Sequence, residues 1–286
     1  MVSAGIRPSS AGFVRLSGGP QQVVDVLGPL AGLVGTWMGS KGYEIIAVPA
    51  TGGQGEEEFR LIIRPYIEII IFTPVGAAVP DRGYPDNLFL TGVQYEMRIT
   101  DAETNQPLHL EVGMWLYMPG QDQTIARSAT IPHGDSLLAL GTSTTIAGAP
   151  TFPPLNIIPE TGAQGGKHAG YTDPYLNLPE PFQSQNVNAY LQKTIAGQDI
   201  TETVALDIST ANGGGILNIP FIVKNANATA FACTYWIETV RDPKTGDTFQ
   251  QLQYSQQTNL LFKEKFDGSG NLIMWPHVNM NTLAKQ

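Results

Sequence analysis

The sequence predicts an all-β protein, an antiparallel up-and-down barrel of about ten strands, with a short helical N-terminal segment and one irregular insertion. Three observations carry this. Segments rich in β-branched and aromatic residues recur along most of the chain. Turn-forming clusters (51–55, 101–107, 118–123, 241–247 and 266–270) separate many of them. Gly 31 and Pro 21 accompany only 14% charged residues in 286.

In chain order, residues 21–34 place Val23, Val24, Leu27, Leu30 and Leu33 near helical spacing, interrupted at Gly28-Pro29. Strand-like segments follow at 43–48, 59–72, 89–100, 109–118, 124–131 and 136–146. Residues 148–185 are rich in Pro and Gly, and 188–197 read as a second short helix. A stretch this long without regular structure is unusual inside a compact domain, so it predicts an excursion lying over the barrel or meeting a partner. Strand-like segments resume at 199–210, 215–225, 229–240 and 248–262. The organisation expected is one barrel domain over 1–286, with an insertion at 149–212 between barrel strands.

The formal charge is -9, with 25 acidic against 16 basic residues and no basic cluster. That balance argues against nucleic acid and against an anionic membrane surface. No apolar run approaches the roughly 20 residues of a membrane-spanning helix, and the first residues lack a secretory pattern. A cytoplasmic protein is expected. The single cysteine, Cys233, lies in an apolar strand-like run and reads as a buried, inert thiol.

Several catalytic motifs fail on inspection. The segment TGAQGGKHAG has Thr161 and His168 where a phosphate loop needs Gly and Ser or Thr. HLEVG is not a zinc-protease helix, and there is no nucleophile elbow. Two features are more specific. Gly35-Thr36-Trp37-Met38-Gly39 stands just before the first strand, where glycines beside an indole let the ring plug a barrel end, as in calycin and lipocalin-like barrels. Near the C-terminus, His277 follows Trp275-Pro276 in an apolar setting, the surroundings in which a neutral imidazole can hold a haem iron.

The order of these segments resembles the nitrobindin family of haem-binding ten-stranded barrels. Gly35-Thr36-Trp37-Met38-Gly39-Ser40-Lys41 looks like the family's GxWxGxG signature, with Lys41 at the third Gly position and Gly42 one place on. Pro107, His109, Glu111 and Gly113 match its P-x-H-x-E-x-G segment. Pro276, His277 and Leu283 match its terminal motif, with Val278 for a Leu and one extra residue before Leu283. The resemblance covers about 26–148 and 215–286. It implies haem b as cofactor, His277 as the axial iron ligand, and Thr36, Trp37, Gly39, Lys41, Leu108 and His109 around the group. Thr36 and Lys41 would meet a propionate, and Trp37 would pack beneath. Implied ligands are NO and other small diatomics or reactive nitrogen and oxygen species, with conversion of peroxynitrite to nitrate or peroxidase-like turnover as the activity.

One strand sets a tension. Leu108, Leu110, Val112, Met114, Leu116 and Met118 alternate with His109, Glu111, Trp115 and Tyr117. If the apolar face lines the cavity, His109 points outward unless the strand starts irregularly. His133 and His168 are expected at the surface, although the insertion could carry His168 over an open iron face or build a homodimer contact. The alternative function is a haem-free carrier of a fatty acid or other apolar ligand, with Arg60, Arg64, Arg98 or Arg127 meeting a carboxylate.

Overall fold

The computed structural model describes residues 26–50, 59–75, 78–84, 86, 88–163 and 171–286. Ten long strands form a closed antiparallel barrel: β1 (Gly35–Pro49), β2 (Phe59–Pro74), β4 (Phe89–Asp101), β5 (Pro107–Tyr117), β6 (Ile125–Ile131), β7 (Asp135–Ala147), β8 (Asp199–Asn218), β9 (Asn227–Arg241), β10 (Thr248–Glu264) and β11 (Leu272–Lys285). The two-residue β3 (Val79–Pro80) pairs with the start of β4. Each barrel strand pairs with the next, β2 pairs with β4, and β1 pairs with β11 to close the ring. Closure leaves no long unpaired edge.

The strand number matches the sequence expectation, but the membership differs. Segments 199–210 and 215–225 are not two strands. Gly213, Gly214 and Gly215 all have positive φ and carry β8 through a register shift against β7, so one strand runs on to Asn218. Beyond it Pro220, with φ already suited to a first helical turn, starts a short helix at Pro220–Asn225. The tenth strand is instead β11, which carries His277. At the other end, the helical pattern at 21–34 yields a 3-10 turn at Gly28–Leu33; residues 21–25 lie outside the described residues.

That turn and Trp37 seal one end of the barrel. Leu27, Leu30, Leu33 and Trp37 are fully buried, and the Trp37 indole N–H donates to Leu33 O at 2.6 Å. Lys285 Nζ sits 5.2 Å from the centre of the Trp37 ring. The shifted glycine signature also has a structural reason. Between Gly39 and Gly42, β1 advances three residues while β2 advances two, so one extra residue is absorbed as a bulge. Gly42 then lies against the Tyr66 ring, where an added Cβ would fall 2.1 Å from a ring carbon.

The insertion packs on the outer wall. From it Phe152, Ile157, Tyr175, Phe182, Val187 and Leu191 form a second core with Ile45, Trp236, Trp275 and Met280 of the barrel. Ser255 Oγ donates to Asn188 Oδ1 at 2.7 Å, and Gln253 Nε2 donates to Thr194 Oγ1 at 2.6 Å, tying it to β10. The predicted second helix is present at Ala189–Thr194. Residues 199–212 belong to β8 itself.

Replacing the plug should be costly. Trp37→Ala removes a fully buried indole, and a loss of about 3–5 kcal/mol is expected in urea unfolding. A loss below ~1 kcal/mol would show that Trp37 does not seal the barrel.

Candidate functional site

At the end opposite Trp37 the barrel opens into a cavity of about 510 Å³, within the roughly 300–1,000 Å³ of small-molecule and cofactor sites. Its walls are mostly aliphatic: Ile46, Val48, Met97, Ile99, Leu108, Ile131, Leu137 and Leu260 among them. The helix Pro220–Asn225 contributes Phe221 and Ile222, and none of the described insertion residues lines the cavity. The described part of the insertion sits on the outer wall.

His277 faces the cavity from β11, half-buried, with Nε2 3.1 Å from Glu44 Oε1 on β1. Burial pushes the Glu44 carboxyl up, but the hydrogen bond and positive potential of His277, with Arg64 behind, hold it below its ordinary value. His109 also faces the cavity. The tension in β5 resolves because its apolar face is the outer one, so His109, Glu111 and Trp115 face inward in ordinary alternation. A bulge at the start, where β4 advances one residue between Ile99 and Thr100 while β5 advances two between Pro107 and His109, brings Leu108 to the cavity as well. Leu108 and His109 both line the cavity, as does Glu111, while Trp115 points inward below. The apolar face of this strand turns outward instead, with Leu110 42% and Val112 48% exposed.

His109 Nε2 is 3.2 Å from Glu111 Oε2. Glu111 is in turn held by Arg127 Nη2 at 2.6 Å and by the Tyr95 hydroxyl. Arg127 is completely buried, with the rings of Tyr95, Trp115, Phe231 and Tyr235 within 5.7 Å of the guanidinium carbon. Burial would raise the Glu111 pKa, yet Arg127 and His109 bring it down to about 2. Gly113 makes room for this cluster; a Cβ there would lie 2.1 Å from Ser128 O and 2.8 Å from the Tyr95 hydroxyl.

His133 joins the cavity from the turn between β6 and β7, its ring centre 5.3 Å from that of His109. Burial and the His109 charge lower its pKa, while burial raises that of Asp135 beside it. His133 is exposed, as expected, and its place at the cavity mouth is what spacing does not reveal. His168 lies outside the described residues.

The signature residues fall elsewhere. Thr36, Trp37, Gly39 and Lys41 are not among the residues lining the cavity, and Lys41 is exposed with its carbonyl accepting from the Tyr190 hydroxyl. The cation that does line it is Arg64, whose Nε is 3.3 Å from Asp101 Oδ2. Of the other arginines, Arg98 pairs with Glu96 at the surface, Arg60 is exposed, and Arg127 is committed below the floor. Cys233 is buried beside Arg127, and burial drives its thiol up to about 12, so it stays protonated.

Sequence reasoning did not find the polar floor. Tyr66 and Tyr254 line the bottom of the cavity with hydroxyls 2.7 Å apart, and Tyr254 donates to Glu68 at 2.8 Å. Asn281 Nδ2 donates to the same Glu68 oxygen at 2.7 Å. Burial is the main cause that raises Glu68 from 4.5 to about 7. The signal was a lone Glu between isoleucines in PYIEIIIF, an acid breaking a strand's apolar run.

Comparison with known proteins adds the following. Residues 26–151 match the family model of the THAP4-like, heme-binding beta-barrel domain. That span ends between β7 and β8, so His277 lies beyond it. The crystal structure of Rv2717c from M. tuberculosis is similar with a TM-score of 0.45 and 16% identity, over 92% of this chain and 97% of that one. No curated protein matches this chain in sequence.

The raised Glu68 value fixes a direction for stability. An acid that holds its proton more tightly when folded favours the fold at low pH, and the advantage is lost as pH rises from 4.5 through about 7. Through this group the protein should lose on the order of 3 kcal/mol across that window. Glu68→Gln should show a correspondingly flatter profile in chemical unfolding from pH 5 to 9; parallel profiles would refute the assignment.

Proposed function

We propose that this chain, whose residues 26–151 match the THAP4-like heme-binding barrel domain, binds haem b in the open-end cavity with His277 as the axial iron ligand. The observation that carries the proposal is the His277–Glu44 pair at an aliphatic cavity wall. Glu44 occupies one ring nitrogen, which fixes the tautomer and leaves the other nitrogen to carry a metal bond. The donor set also fits the group chemically. Among the described residues, no cluster of three or more His, Cys, Asp and Glu is suited to a metal ion. A bare cation would therefore lack ligands here, whereas a porphyrin brings four of its own and asks the protein for an axial one.

When bound, haem supplies a redox-active Lewis-acidic iron. The chain's residues then have separate tasks. Glu44 orients His277. Arg64 at the wall meets a propionate, the task first assigned to Lys41 and Thr36. The aliphatic walls exclude water, which favours neutral diatomics such as NO over ionic ligands. His109, held by Glu111 at the cavity wall, would be the group to hold or move a proton there, as turnover of peroxynitrite or a peroxide would require. Phe221 and Ile222 at the mouth control access.

The carrier reading finds less support. Arg127 is neutralised by Glu111 and does not stand free for a fatty-acid carboxylate, while Arg64, beside Asp101, would serve a propionate or a fatty-acid carboxylate alike.

Titration of purified protein with haemin should give a saturable Soret band with one haem per chain. His277→Ala should lose or shift that band, and Glu44→Gln should weaken haem affinity by about 10–100-fold. Identical spectra and affinities in all three proteins would defeat the axial assignment. Absence of a specific band in the unsubstituted protein would leave the apolar-ligand carrier as the reading.

A further inference from the structure

Haem binding through His277 gives no task to the most unusual feature of the cavity floor. Glu68 is completely buried, lies behind Tyr66 and Tyr254 rather than on the cavity, and has one carboxyl oxygen, Oε1, without a hydrogen-bond partner. A carboxyl group in that position costs stability unless its chemistry is used. What it provides is a base in direct hydrogen-bond contact with a phenol at the edge of the cavity, at 2.8 Å. Tyr66 Oη lies 2.7 Å from Tyr254 Oη and donates to Met280 O at 3.1 Å. Asn281 fixes the acceptor oxygen from the opposite side.

A phenol that loses one electron becomes a strong acid, so its oxidation is easy only where a base can take the proton at the same moment. Behind Tyr254 a row of electron-rich rings leads away from the cavity. Tyr235 stacks on Tyr254 with ring centres 5.1 Å apart, and Trp115 lies 5.1 Å from Tyr235. All are buried.

We propose that Tyr254 is a redox-active tyrosine that delivers one electron to haem bound in the cavity after a hydroperoxide has oxidised it, with Glu68 accepting the phenolic proton. This rests on the haem reading above. In the step the Tyr254 O–H bond breaks, one electron reduces the oxidised haem, and the proton crosses the hydrogen bond to Glu68 Oε2. A neutral phenoxyl radical and a neutral carboxylic acid remain, so the buried site ends with one charge fewer than it began. Tyr66 Oη, 2.7 Å from Tyr254 Oη, and Asn281, on the shared carboxylate oxygen, hold Tyr254 and Glu68 in register for the transfer. Tyr254 is the redox group; Glu68 is a positioning and proton-accepting residue.

The test is freeze-quenched electron paramagnetic resonance of the haem-loaded full chain after hydrogen peroxide, with protein carrying ring-deuterated tyrosine as the reference. The unsubstituted protein should give a tyrosyl radical that narrows on deuteration, and Tyr254→Phe should lose most of it. Glu68→Gln keeps the side-chain shape and should lower the radical yield. The yield should rise with pH as Glu68 ionises, and this rise should vanish in the variant. The groups that face Glu68 and enter this profile are Tyr66, Tyr254, His109 and Arg127, with the neutral Asn281. A normal Soret band in each variant shows that the barrel has formed. If Tyr254→Phe does not fold, the Glu68→Gln pH profile decides the matter. A haem-loaded protein with no tyrosyl radical, or variants with unchanged signals and profiles, overturns this proposal alone. Absence of a Soret band overturns the haem reading and this proposal with it.

Discussion

Closure of the ten-strand sheet, through the β1–β11 and β2–β4 pairings, is the constraint on which everything else depends. Once the sheet has no long edge, every side chain along it faces either inward or outward, and the period-two alternation assigns it. The interior cannot be filled by aliphatic residues alone at both ends. At one end Trp37, Trp115 and the Leu27–Leu33 turn fill it completely; at the other the strands leave room for a ligand. Barrel closure therefore separates a part that gives stability from a part that can bind.

Between the two parts lies a charged and phenolic layer. Arg127, Glu111 and Tyr95 form one half of it, and Glu68, Tyr254, Tyr66 and Asn281 the other. Such a layer costs desolvation energy that aliphatic packing would not, and a buried pair of this kind is weak evidence of added stability. Its placement explains its presence better. One half anchors His109 at the cavity wall through Glu111, and the other places a base beneath the cavity floor. The opposed shifts of Glu111, down to about 2, and Glu68, up to about 7, follow from the same burial; Arg127 neutralises the first carboxylate and no cation touches the second.

The insertion serves the outside of the same wall. A strand in a small barrel usually alternates apolar inward and polar outward, yet Ile45, Trp236, Val278 and Met280 face outward here. Phe152, Tyr175, Phe182 and Leu191 cover them. The uncovered side of the barrel keeps exposed Leu110, Val112 and Leu138. The long chain is thus a barrel with one wall thickened into a second core, while the short helix Pro220–Asn225 lies beside the cavity mouth.

The sequence by itself determined the all-β class, the meander order and the Trp37 plug, because alternation, turn residues and ordered motifs are local properties of the chain. It also pointed to the match with a haem-binding barrel domain. Tertiary structure alone decided the rest. The apolar face of β5 turned outward, which set His109 and Glu111 at the cavity, and the turn after β6 brought His133 to the mouth. Folding set Arg64 rather than Lys41 at the cavity, and joined Glu68 to Tyr254 across 186 residues of sequence. Which face of a strand turns inward depends on what packs against it, and a barrel joins strands far apart in the chain. Neither leaves a mark on residue spacing, so the plug was legible from the sequence while the chemistry of the cavity floor was not.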